Sequence, residues 1–376
     1  MTHAHAIDSR EVAAWLKGAY PGGDAALFAQ ARLVQDELVG PEVRLRGLLE
    51  VSNYCGCDCL YCGIRRNAAV PRFDLSDADI GAAADQCVAA GFGSMTVQAG
   101  ERRDQAFVER VTGIVTAIKE RTRSERLPEG LGITLSVGEQ STSVYSQWRA
   151  AGAHRYLLRI ETSDPDLFAR LHPARQRYET RVAALRSLKA TGFQLGTGVM
   201  IGIPGQSEEQ LAADIIFFRD VDADMIGMGP YIPSRAAMFA PVSADGGGAP
   251  PSADVLTPDR SPRERLRLTL RMIAATRIVL GDVNIAATTA LQALSATGRE
   301  AGLRAGANVL MPIVTPVQAR GGYQLYDGKP CVDEESAACA ACTPWRAARA
   351  GRPVIRDAWG DAPHATTSAY RKGDQS

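Results

Sequence analysis

Short apolar segments alternate with helical patterns along most of the chain, and this alternation is the feature that most constrains its fold. Eight segments carry the strand pattern, at residues 43–51, 94–98, 132–137, 155–160, 194–201, 225–228, 284–287 and 309–311. A helical pattern follows each of them except the last. Repeated strand–helix units predict a parallel sheet, and eight such units can close into a barrel. The sequence therefore predicts an α/β protein built on a (βα)8 TIM-type barrel.

The regions outside this alternation divide the chain into three predicted parts. Residues 1–42 carry two helical patterns and are expected to form an N-terminal helical cap. Residues 43–312 form the predicted barrel, in which 232–258 is a loop rich in Ala, Pro, Gly and Ser. Residues 313–376 form a C-terminal tail that bears cysteines. In such barrels the chemistry lies at the carboxyl ends of the strands, so polar residues there are candidates for the site.

Charge and hydropathy argue against several classes of partner. The chain has 42 Lys+Arg and 42 Asp+Glu, so its net charge does not favour nucleic acid or an acidic membrane surface. No apolar run is long enough to span a bilayer, and the N-terminus has no signal-peptide pattern. We therefore expect a cytoplasmic protein that acts on a small-molecule substrate and has neither a nucleic-acid nor a membrane partner.

Seven of the eight cysteines fall in two clusters, four in residues 55–62 and three in residues 331–342. A disulfide framework is unusual in a long chain without a secretory signal, so this clustering indicates metal binding. Cys87 stands alone in an apolar helical pattern, where a cysteine is usually part of the core.

The first cluster contains the spacing C-x3-C-x2-C, formed by Cys55, Cys59 and Cys62 directly after the first predicted strand. Three thiolates can hold three irons of a four-iron, four-sulfur (4Fe-4S) cluster and leave the fourth iron open for chemistry. Zinc is the alternative, because Cys57 in place of Cys55 gives a C-x-C-x2-C set. With iron as the metal, Cys57 is expected to be a bystander.

C-x3-C-x2-C with an aromatic residue before the last cysteine resembles the signature of the radical S-adenosylmethionine (SAM) enzymes. The resemblance implies that Cys55, Cys59 and Cys62 hold the cluster and that Tyr61 packs on the adenine of SAM. Polar residues after later strands are expected to bind the rest of SAM. The predicted cofactor-binding residues are Tyr61, Gln98, Gly100, Glu101, Thr134, Ser136, Arg159, Glu161 and Arg181.

A chemical argument supports SAM binding by each group of these residues, and two of the groups also have an alternative role. The turn at 98–101 can aim backbone carbonyls at the ammonium of SAM, although a Gly-Glu after a strand is more often only a helix start. Arg159 and Glu161 can bind the carboxylate and ribose of SAM, or an anionic substrate, and the alternative is an ion pair that closes the barrel rim. Arg181 is a further candidate for the carboxylate, and Thr134 and Ser136 are expected to line the cavity.

A candidate substrate pocket follows the last two strands. Its predicted residues are Thr288, Thr289, Met311 and Tyr323. Two hydroxyl groups at a barrel mouth can bind a small anion, and the alternative role for the threonines is a helix N-cap. In the tail, Cys331, Cys339 and Cys342 are close enough in sequence to bind a second Fe–S cluster or zinc, with a peripheral role.

Several stretches together resemble the HydE-type maturases of FeFe-hydrogenase, which are relatives of biotin synthase and 3-methylornithine synthase. These stretches are C-L-Y-C-G-I-R-R at 59–66, I-P-G-Q at 203–206, A-T-T-A-L-Q at 287–292, G-A-N-V-L-M-P at 306–312 and Y-Q-L-Y-x-G-K-x-C at 323–331. The resemblance implies a complete barrel around one cavity, with reductive cleavage of SAM to a 5′-deoxyadenosyl radical that attacks a small cysteine-bound iron species.

The resemblance also implies partners and an anion pocket. The expected partners are a reductant such as a flavodoxin or ferredoxin, and other maturation proteins. Arg159 and the four substrate-pocket residues match positions that line the family's anion pocket. The chain departs from the family pattern at Ala99, Ile160 and Ser234, where polar groups are usual. These departures leave open a radical SAM mutase or synthase on a small amino acid or thiol-containing metabolite, and the second cysteine cluster leaves open a scaffold that delivers metal.

Overall fold

The computed structural model describes residues 7–238, 256–333 and 336–367, with side chains for all of these except 238 and 336–341. The strands are β1 (Val43–Leu45), β2 (Gly47–Ser52), β3 (Ser94–Ala99), β4 (Gly132–Ser136), β5 (Ala153–Leu157), β6 (Gln194–Thr197), β7 (Met200–Ile201), β8 (Met225–Ile226), β9 (Gly229–Pro230), β10 (Asn284–Ile285), β11 (Val309–Leu310) and β12 (Val354–Ile355).

Seven of these strands form one parallel sheet in the order β10-β8-β6-β5-β4-β3-β2. Strand β11 closes the sheet into a barrel, because Val309 bridges Ala286 on one side and pairs with Arg44 on the other. The backbone N–H of Leu48 donates to Pro312 on the same seam. The predicted (βα)8 barrel is therefore confirmed, with β1 and β2 together forming its first strand.

The helices are α1 (Ser9–Leu16), α2 (Gly23–Leu38), α3 (Asp77–Ala89), α4 (Gln105–Arg121), α5 (Thr142–Ala150), α6 (Pro165–Leu171), α7 (Tyr178–Ala190), α8 (Glu208–Asp220), α9 (Arg235–Met238), α10 (Pro262–Leu280), α11 (Thr289–Leu294), α12 (Gly298–Arg304), α13 (Val317–Arg320) and α14 (Ser336–Arg349). Local sequence signals mark where several begin. Ser76, Ser207 and Ser261 each form a capping box with the residue three positions on, before α3, α8 and α10.

Two predicted strands, 194–201 and 225–228, are each interrupted near a glycine. A Cβ on Gly198 would lie 2.0 Å from the carbonyl oxygen of Gly227, so the two backbones touch where side chains are absent. The ladder resumes beyond this contact as the pair of β7 and β9. Because the interruption depends on a close approach between two segments, neither segment shows it alone.

The cap and the tail pack on the barrel at different places. Helices α1 and α2 lie on α8 and α10, where Asp24 pairs with Arg267 and Arg271 at 2.6 and 2.8 Å. Strand β12, in the tail, pairs with β1. Trp359 donates from Nε1 to Gly130 at 2.8 Å, beside the amino-terminal ends of β4 and β5. The tail is thus part of the barrel's framework, which the sequence did not indicate.

Among the described residues, none of the helices combines the length and the apolar composition needed to cross a membrane.

Candidate functional site

One cavity of about 340 Å³ lies at the carboxyl ends of the barrel strands and contains most of the predicted site. The predicted residues that line it are Cys55, Cys59, Tyr61, Cys62, Gln98, Gly100, Glu101, Ser136, Arg159, Glu161, Arg181, Thr288, Thr289, Met311 and Tyr323. They come from loops that follow different strands, so the barrel topology brings them together. Cys57 and Ala99 also line this cavity.

The loop at 53–66, called here the cysteine loop, follows β2 and is held by polar contacts. Asn53 donates from Nδ2 to the carbonyls of Pro71 and Gly322, at 2.7 and 2.6 Å. Arg72 donates to several backbone carbonyls of the loop, and Arg65 makes a bidentate ion pair with Asp58 at 2.6 and 2.8 Å. These contacts order a segment that has no regular secondary structure of its own.

The environment of the thiols fits an iron cluster. Burial raises the pKa of Cys62 to about 12 and raises that of Cys59 well above its ordinary value. A hydrogen bond with Cys57 lowers the pKa of Cys55 to about 7. Buried thiolates need a compensating positive charge, and the irons of a cluster supply it. The donor set therefore suits the cofactor that the spacing predicts.

The arrangement of the sulfurs bears on the zinc alternative. A zinc site places its ligands around a single ion. In the part of the chain that the structure describes, no three His, Cys, Asp or Glu side chains are placed that way. A 4Fe-4S cluster differs because each thiolate binds a different iron, so the sulfurs need only face one space. Cys55, Cys59 and Cys62 meet that requirement, since all three line the cavity.

Gly100 lies against the cysteine loop so closely that no side chain fits. A Cβ at this position would lie 2.4 Å from the carbonyl oxygen of Tyr54 and 2.7 Å from Cβ of Cys55. The backbone N–H of Gly56 donates to the carbonyl of Glu101 at 2.7 Å. The turn after β3 and the cysteine loop are therefore one packed unit.

Arg159 and Glu161 face the cavity as a pair whose polar atoms lack aligned partners. Nη2 of Arg159 lies 2.9 Å from Oε2 of Glu161, yet among the described residues neither atom has a hydrogen bond of good geometry, and both atoms are buried. Glu161 has φ of 66°, in the left-handed region that few non-glycine residues adopt. Buried polar atoms without aligned partners, beside a strained backbone, are typical of a ligand site. The pair fits a polar ligand such as SAM.

Arg181 has partners other than the predicted carboxylate of SAM. Its guanidinium donates to Glu139 and to the carbonyl of Arg159. Glu139 also accepts from Arg103 at 3.1 Å, and its backbone N–H donates to Glu101 at 2.9 Å. Sequence reasoning missed Glu139 and Arg103; the available signal was an acidic residue just after the third predicted strand.

The side chain of Tyr61 contacts His172 and a cluster of apolar residues, which together orient its ring. Its hydroxyl lies 3.3 Å from Nε2 of His172, and the two rings meet edge to face with centroids 5.5 Å apart. Burial lowers the pKa of His172 to about 3, so this imidazole is neutral. The ring of Tyr61 also packs against an apolar cluster that includes Leu171 and Met200.

The predicted substrate-pocket residues share the cavity with the cysteines. Thr288 is the N-cap of α11, as the alternative proposed, but its hydroxyl donates to the carbonyl of Met228 at 3.3 Å and makes no cap bond. The hydroxyl of Thr289 lies 2.9 Å from that of Tyr326. Tyr323 is fully buried, and its carbonyl accepts from Lys329 at 2.8 Å.

The segment at 322–329 forms one wall of this cavity, although it belongs to the predicted tail. The N–H of Gly63 in the cysteine loop donates to Leu325 at 2.9 Å. Lys329 forms a buried ion pair with Glu50 of β2, and both line the cavity. Neither residue was predicted to lie in the site; the lysine of the motif at 323–331 was the only signal.

Two predictions fall outside the cavity. Thr134 lines a separate space of about 30 Å³ inside the barrel, where its hydroxyl accepts from Arg155 at 2.9 Å. In the tail, Cys331 lies 3.9 Å from Arg299, and Cys342 accepts from Arg346 at 3.3 Å. The side chain of Cys339 lies outside the described residues. The second cysteine cluster therefore stays a prediction.

Comparison with known proteins agrees with this geometry. A model of the radical SAM superfamily matches residues 49–218 of the chain. The chain is 38% identical over 341 residues to the [FeFe] hydrogenase maturase subunit HydE of Thermotoga maritima, covering 90% of this chain and 89% of that protein. It is 25% identical over 305 residues to 3-methylornithine synthase of Methanosarcina barkeri, covering 80% of this chain and 78% of that protein.

Two solved structures share the fold. The structure of methylornithine synthase (PylB) matches with a TM-score of 0.74 and 21% identity, covering 94% of this chain and 96% of that chain. The structure of the FeFe-hydrogenase maturase HydG from Carboxydothermus hydrogenoformans matches with a TM-score of 0.71 and 18% identity, covering 91% of this chain and 75% of that chain. At these identities the matches describe the architecture alone.

Proposed function

The chain belongs to the HydE family of radical SAM enzymes, and from this membership we propose that it takes part in assembling the diiron cofactor of FeFe-hydrogenase. The resemblance stated from the sequence motifs is thereby confirmed. The observation that carries the proposal is a shared cavity, which is lined by the cysteine triad, by all the polar SAM-binding candidates except Thr134, and by the substrate-pocket residues. A cluster and a substrate must share such an enclosed space if a radical made at one is to reach the other.

The cofactors follow from the family, and the residues that hold them are our proposal. Cys55, Cys59 and Cys62 would each bind one iron of the 4Fe-4S cluster. The chemistry that a reduced cluster supplies is one electron to SAM, which splits into methionine and a 5′-deoxyadenosyl radical. Tyr61 would pack on the adenine, and Gly100 would let backbone carbonyls approach the ammonium.

The remaining polar residues would hold SAM in different ways. Arg159 and Glu161 have unaligned buried atoms and would contact SAM directly. Arg181 would act mainly through Glu139 and the carbonyl of Arg159, which its guanidinium already binds. Ser136 lines the same side of the cavity as a further hydroxyl, whereas Thr134 has no place on this wall.

Reductive cleavage of SAM tests the enzymatic core of this proposal. The protein would be reconstituted with iron and sulfide without oxygen, reduced with dithionite, and assayed for 5′-deoxyadenosine. Cys59→Ala should abolish the product, whereas Cys57→Ser, a matched change in the same loop, should retain the bulk of it. An iron-loaded wild-type protein that formed no 5′-deoxyadenosine would refute the proposal.

What the proposal says about the substrate depends on the three residues at which the chain departs from the family pattern, Ala99, Ile160 and Ser234. Ile160 and Ser234 are buried and do not line the cavity as described, so of the three departures only Ala99 changes its wall. This favours a pocket like that of the maturases over one for a different substrate. Complementation of a host that lacks its own HydE-type maturase, read out as hydrogenase activity, tests this step, and failure with a SAM-cleaving protein would favour the mutase or synthase alternative.

A second cluster in the tail is also part of our proposal. Cys331, Cys339 and Cys342 would hold it, at a site away from the cavity. A variant with all three changed to serine should bind less iron yet still cleave SAM. Loss of cleavage with the first cluster intact would contradict the peripheral role.

We propose a flavodoxin or ferredoxin as electron donor, in the cytoplasm, with other maturation proteins as partners. The outer face of the cysteine loop supports a protein donor, because Tyr54 is 44% exposed beside Cys55 and borders a surface depression with Gly56, Asp74 and Arg102. Cleavage of SAM supported by a reduced flavodoxin, compared with dithionite in the same preparation, tests the donor.

A further inference from the structure

The segment at 171–176 begins at the last residue of α6 and contacts the cysteine loop at four points. The N–H of Leu60 donates to the carbonyl of Leu171 at 2.9 Å. The other three contacts join Tyr61 to His172, Gly56 to Arg175, and Cys59 to Gln176. No sequence motif pointed to this segment, and the proposed function assigns it no role.

The segment is itself firmly held. The ring of His172 stacks on that of Phe168, with centroids 3.9 Å apart, and its Nδ1 lies 2.9 Å from the carbonyl of Phe168. The N–H of Gln176 donates to Pro173 at 2.8 Å. Asp164 caps α6 by accepting from Leu167 at 2.7 Å. A rigid element can therefore impose its geometry on the cysteine loop, which has no regular structure.

The two contacts of His172 define its tautomer. A carbonyl can only accept, so Nδ1 carries the proton that is donated to Phe168. The remaining nitrogen, Nε2, then accepts from the hydroxyl of Tyr61. The aromatic ring beside the cluster is thereby fixed at its far end by a neutral, buried acceptor.

Gln176 lines the cavity and lies beside one cysteine of the triad. Its Oε1 lies 3.2 Å from Sγ of Cys59, where the thiol can donate to it. A thiolate ligand has no proton to donate, so a side-chain amide at this distance is satisfied by turning its N–H toward the sulfur. The oxygen and nitrogen of an amide exchange places by a rotation of 180° about the last bond, without moving the backbone.

Hydrogen bonds to cluster sulfurs are one of the means by which a protein sets a reduction potential. An N–H donor stabilises the reduced state, which carries the more negative charge. We propose that Gln176 is a tuning residue that donates to the Cys59 corner of the cluster and raises its reduction potential, while His172 is a positioning residue that fixes the ring of Tyr61 for the adenine of SAM. This inference rests on the proposed function for the identity of the cluster and of SAM.

Substitutions at Gln176 and His172 should change two different quantities, the reduction potential of the cluster and the affinity for SAM. In Gln176→Leu, which keeps the bulk and removes the donor, the midpoint potential of the cluster should become more negative in an anaerobic redox titration followed by EPR. In Gln176→Glu, an acceptor faces the thiolate, so the shift in the same direction should be larger. In His172→Phe, which keeps the stacked ring, the potential should stay at the wild-type value.

The affinity for SAM should show the opposite pattern. His172→Phe should weaken SAM binding by about three- to tenfold, as expected for the loss of one hydrogen bond that orients a binding side chain. The Gln176 variants should bind SAM with near wild-type affinity. Ala174→Ser, an exposed change within the same segment, should leave both measurements unchanged.

The outcomes separate this inference from the proposed function. Wild-type potential in both Gln176 variants, at full iron content, would overturn the tuning role. Wild-type SAM affinity in His172→Phe would overturn the positioning role. If the Leu variant failed to take up iron, the Glu variant would still test the sign of the shift. Absence of 5′-deoxyadenosine from the wild-type protein would instead refute the proposed function, and the potentials would be measurable regardless.

Discussion

Lys329 and Glu50 lie 279 positions apart in the sequence and form an ion pair in the wall of the cavity. Their side chains are 4% and 1% exposed. Lys329 also donates to the carbonyl of Tyr323, and Glu50 accepts from Thr315 at 3.3 Å. The pair therefore ties the C-terminal tail to the first barrel strand at the place where the substrate-pocket residues lie.

Removing one partner of this pair should destabilise the protein strongly. Lys329→Met leaves the carboxylate of Glu50 buried without its cation, which typically costs about 3–5 kcal/mol. The free energy of unfolding in urea, measured without oxygen on the cluster-free protein, checks this value. In the double variant Glu50→Leu, Lys329→Met no charge remains unpaired, so most of the loss should be recovered. A double variant as unstable as the single one would contradict this account.

A methyl group on Gly100 should displace the cysteine loop. The Cβ would meet Tyr54 and Cys55 at distances that atoms do not adopt, so the backbone of the loop must move. Gly100→Ala should therefore take up less iron on reconstitution, measured by iron counting and the visible absorption of the cluster.

Gly113, on an exposed part of α4, offers the matched control. Apart from its chain neighbours and the backbone of its own helix, a Cβ there would have no atom of the described residues within 4 Å. Gly113→Ala should keep its iron content and gain about 0.5–1 kcal/mol of stability from the higher helix propensity of alanine. Equal iron content in the two variants would show that the contact at Gly100 is not required.

The barrel could be predicted from the sequence because its signals are local. Each strand–helix unit carries its own periodicity, and serines such as Ser76 and Ser207 mark helix starts within a few residues. The cysteine triad could be predicted for the same reason, since its spacing lies within eight residues. The helix α6 was missed because it has only seven residues and its pattern is too short to stand out.

The rest of the site depends on contacts between distant segments. Glu139 can be identified as a site residue only from the structure, in which Arg181 and Arg103 both donate hydrogen bonds to it. The carboxylate that pairs with the tail residue Lys329 lies outside its own motif, on β2. Such pairings follow from the closed barrel, which brings the first strand and the tail together, and no periodicity encodes them.

The two ion pairs of Glu139 should contribute differently to SAM binding, because Arg181 and Arg103 differ in exposure. The side chain of Arg181 is 8% exposed, whereas that of Arg103 is 56% exposed. Glu139→Leu leaves Arg181 buried without its carboxylate and should weaken SAM binding by roughly tenfold or more. Arg103→Gln removes a solvent-screened charge and should change the affinity by less than about threefold. Equilibrium dialysis with the reconstituted protein measures both, and equal losses would contradict the difference.

His364 should make the stability of the tail depend on pH. Its Nδ1 lies 2.8 Å from Asp282 and its Nε2 lies 2.8 Å from Asp222. The hydrogen bond to Asp282 and then that to Asp222 raise the pKa of His364 above its ordinary value, with Asp224 adding to the effect. Because the folded pKa is the higher one, the stabilisation is fully present below the unfolded value of about 6.5 and is lost as the pH rises through the folded pKa.

His364→Gln removes this protonated side chain and should reveal the dependence directly. The urea midpoint of the variant should fall further below that of the wild type at pH 6 than at pH 9, because only the protonated imidazole donates to both carboxylates at once. Measurements on the cluster-free protein avoid a contribution from metal loss at low pH. A difference between the two proteins that stayed constant from pH 6 to pH 9 would show that His364 contributes by packing and not by its charge.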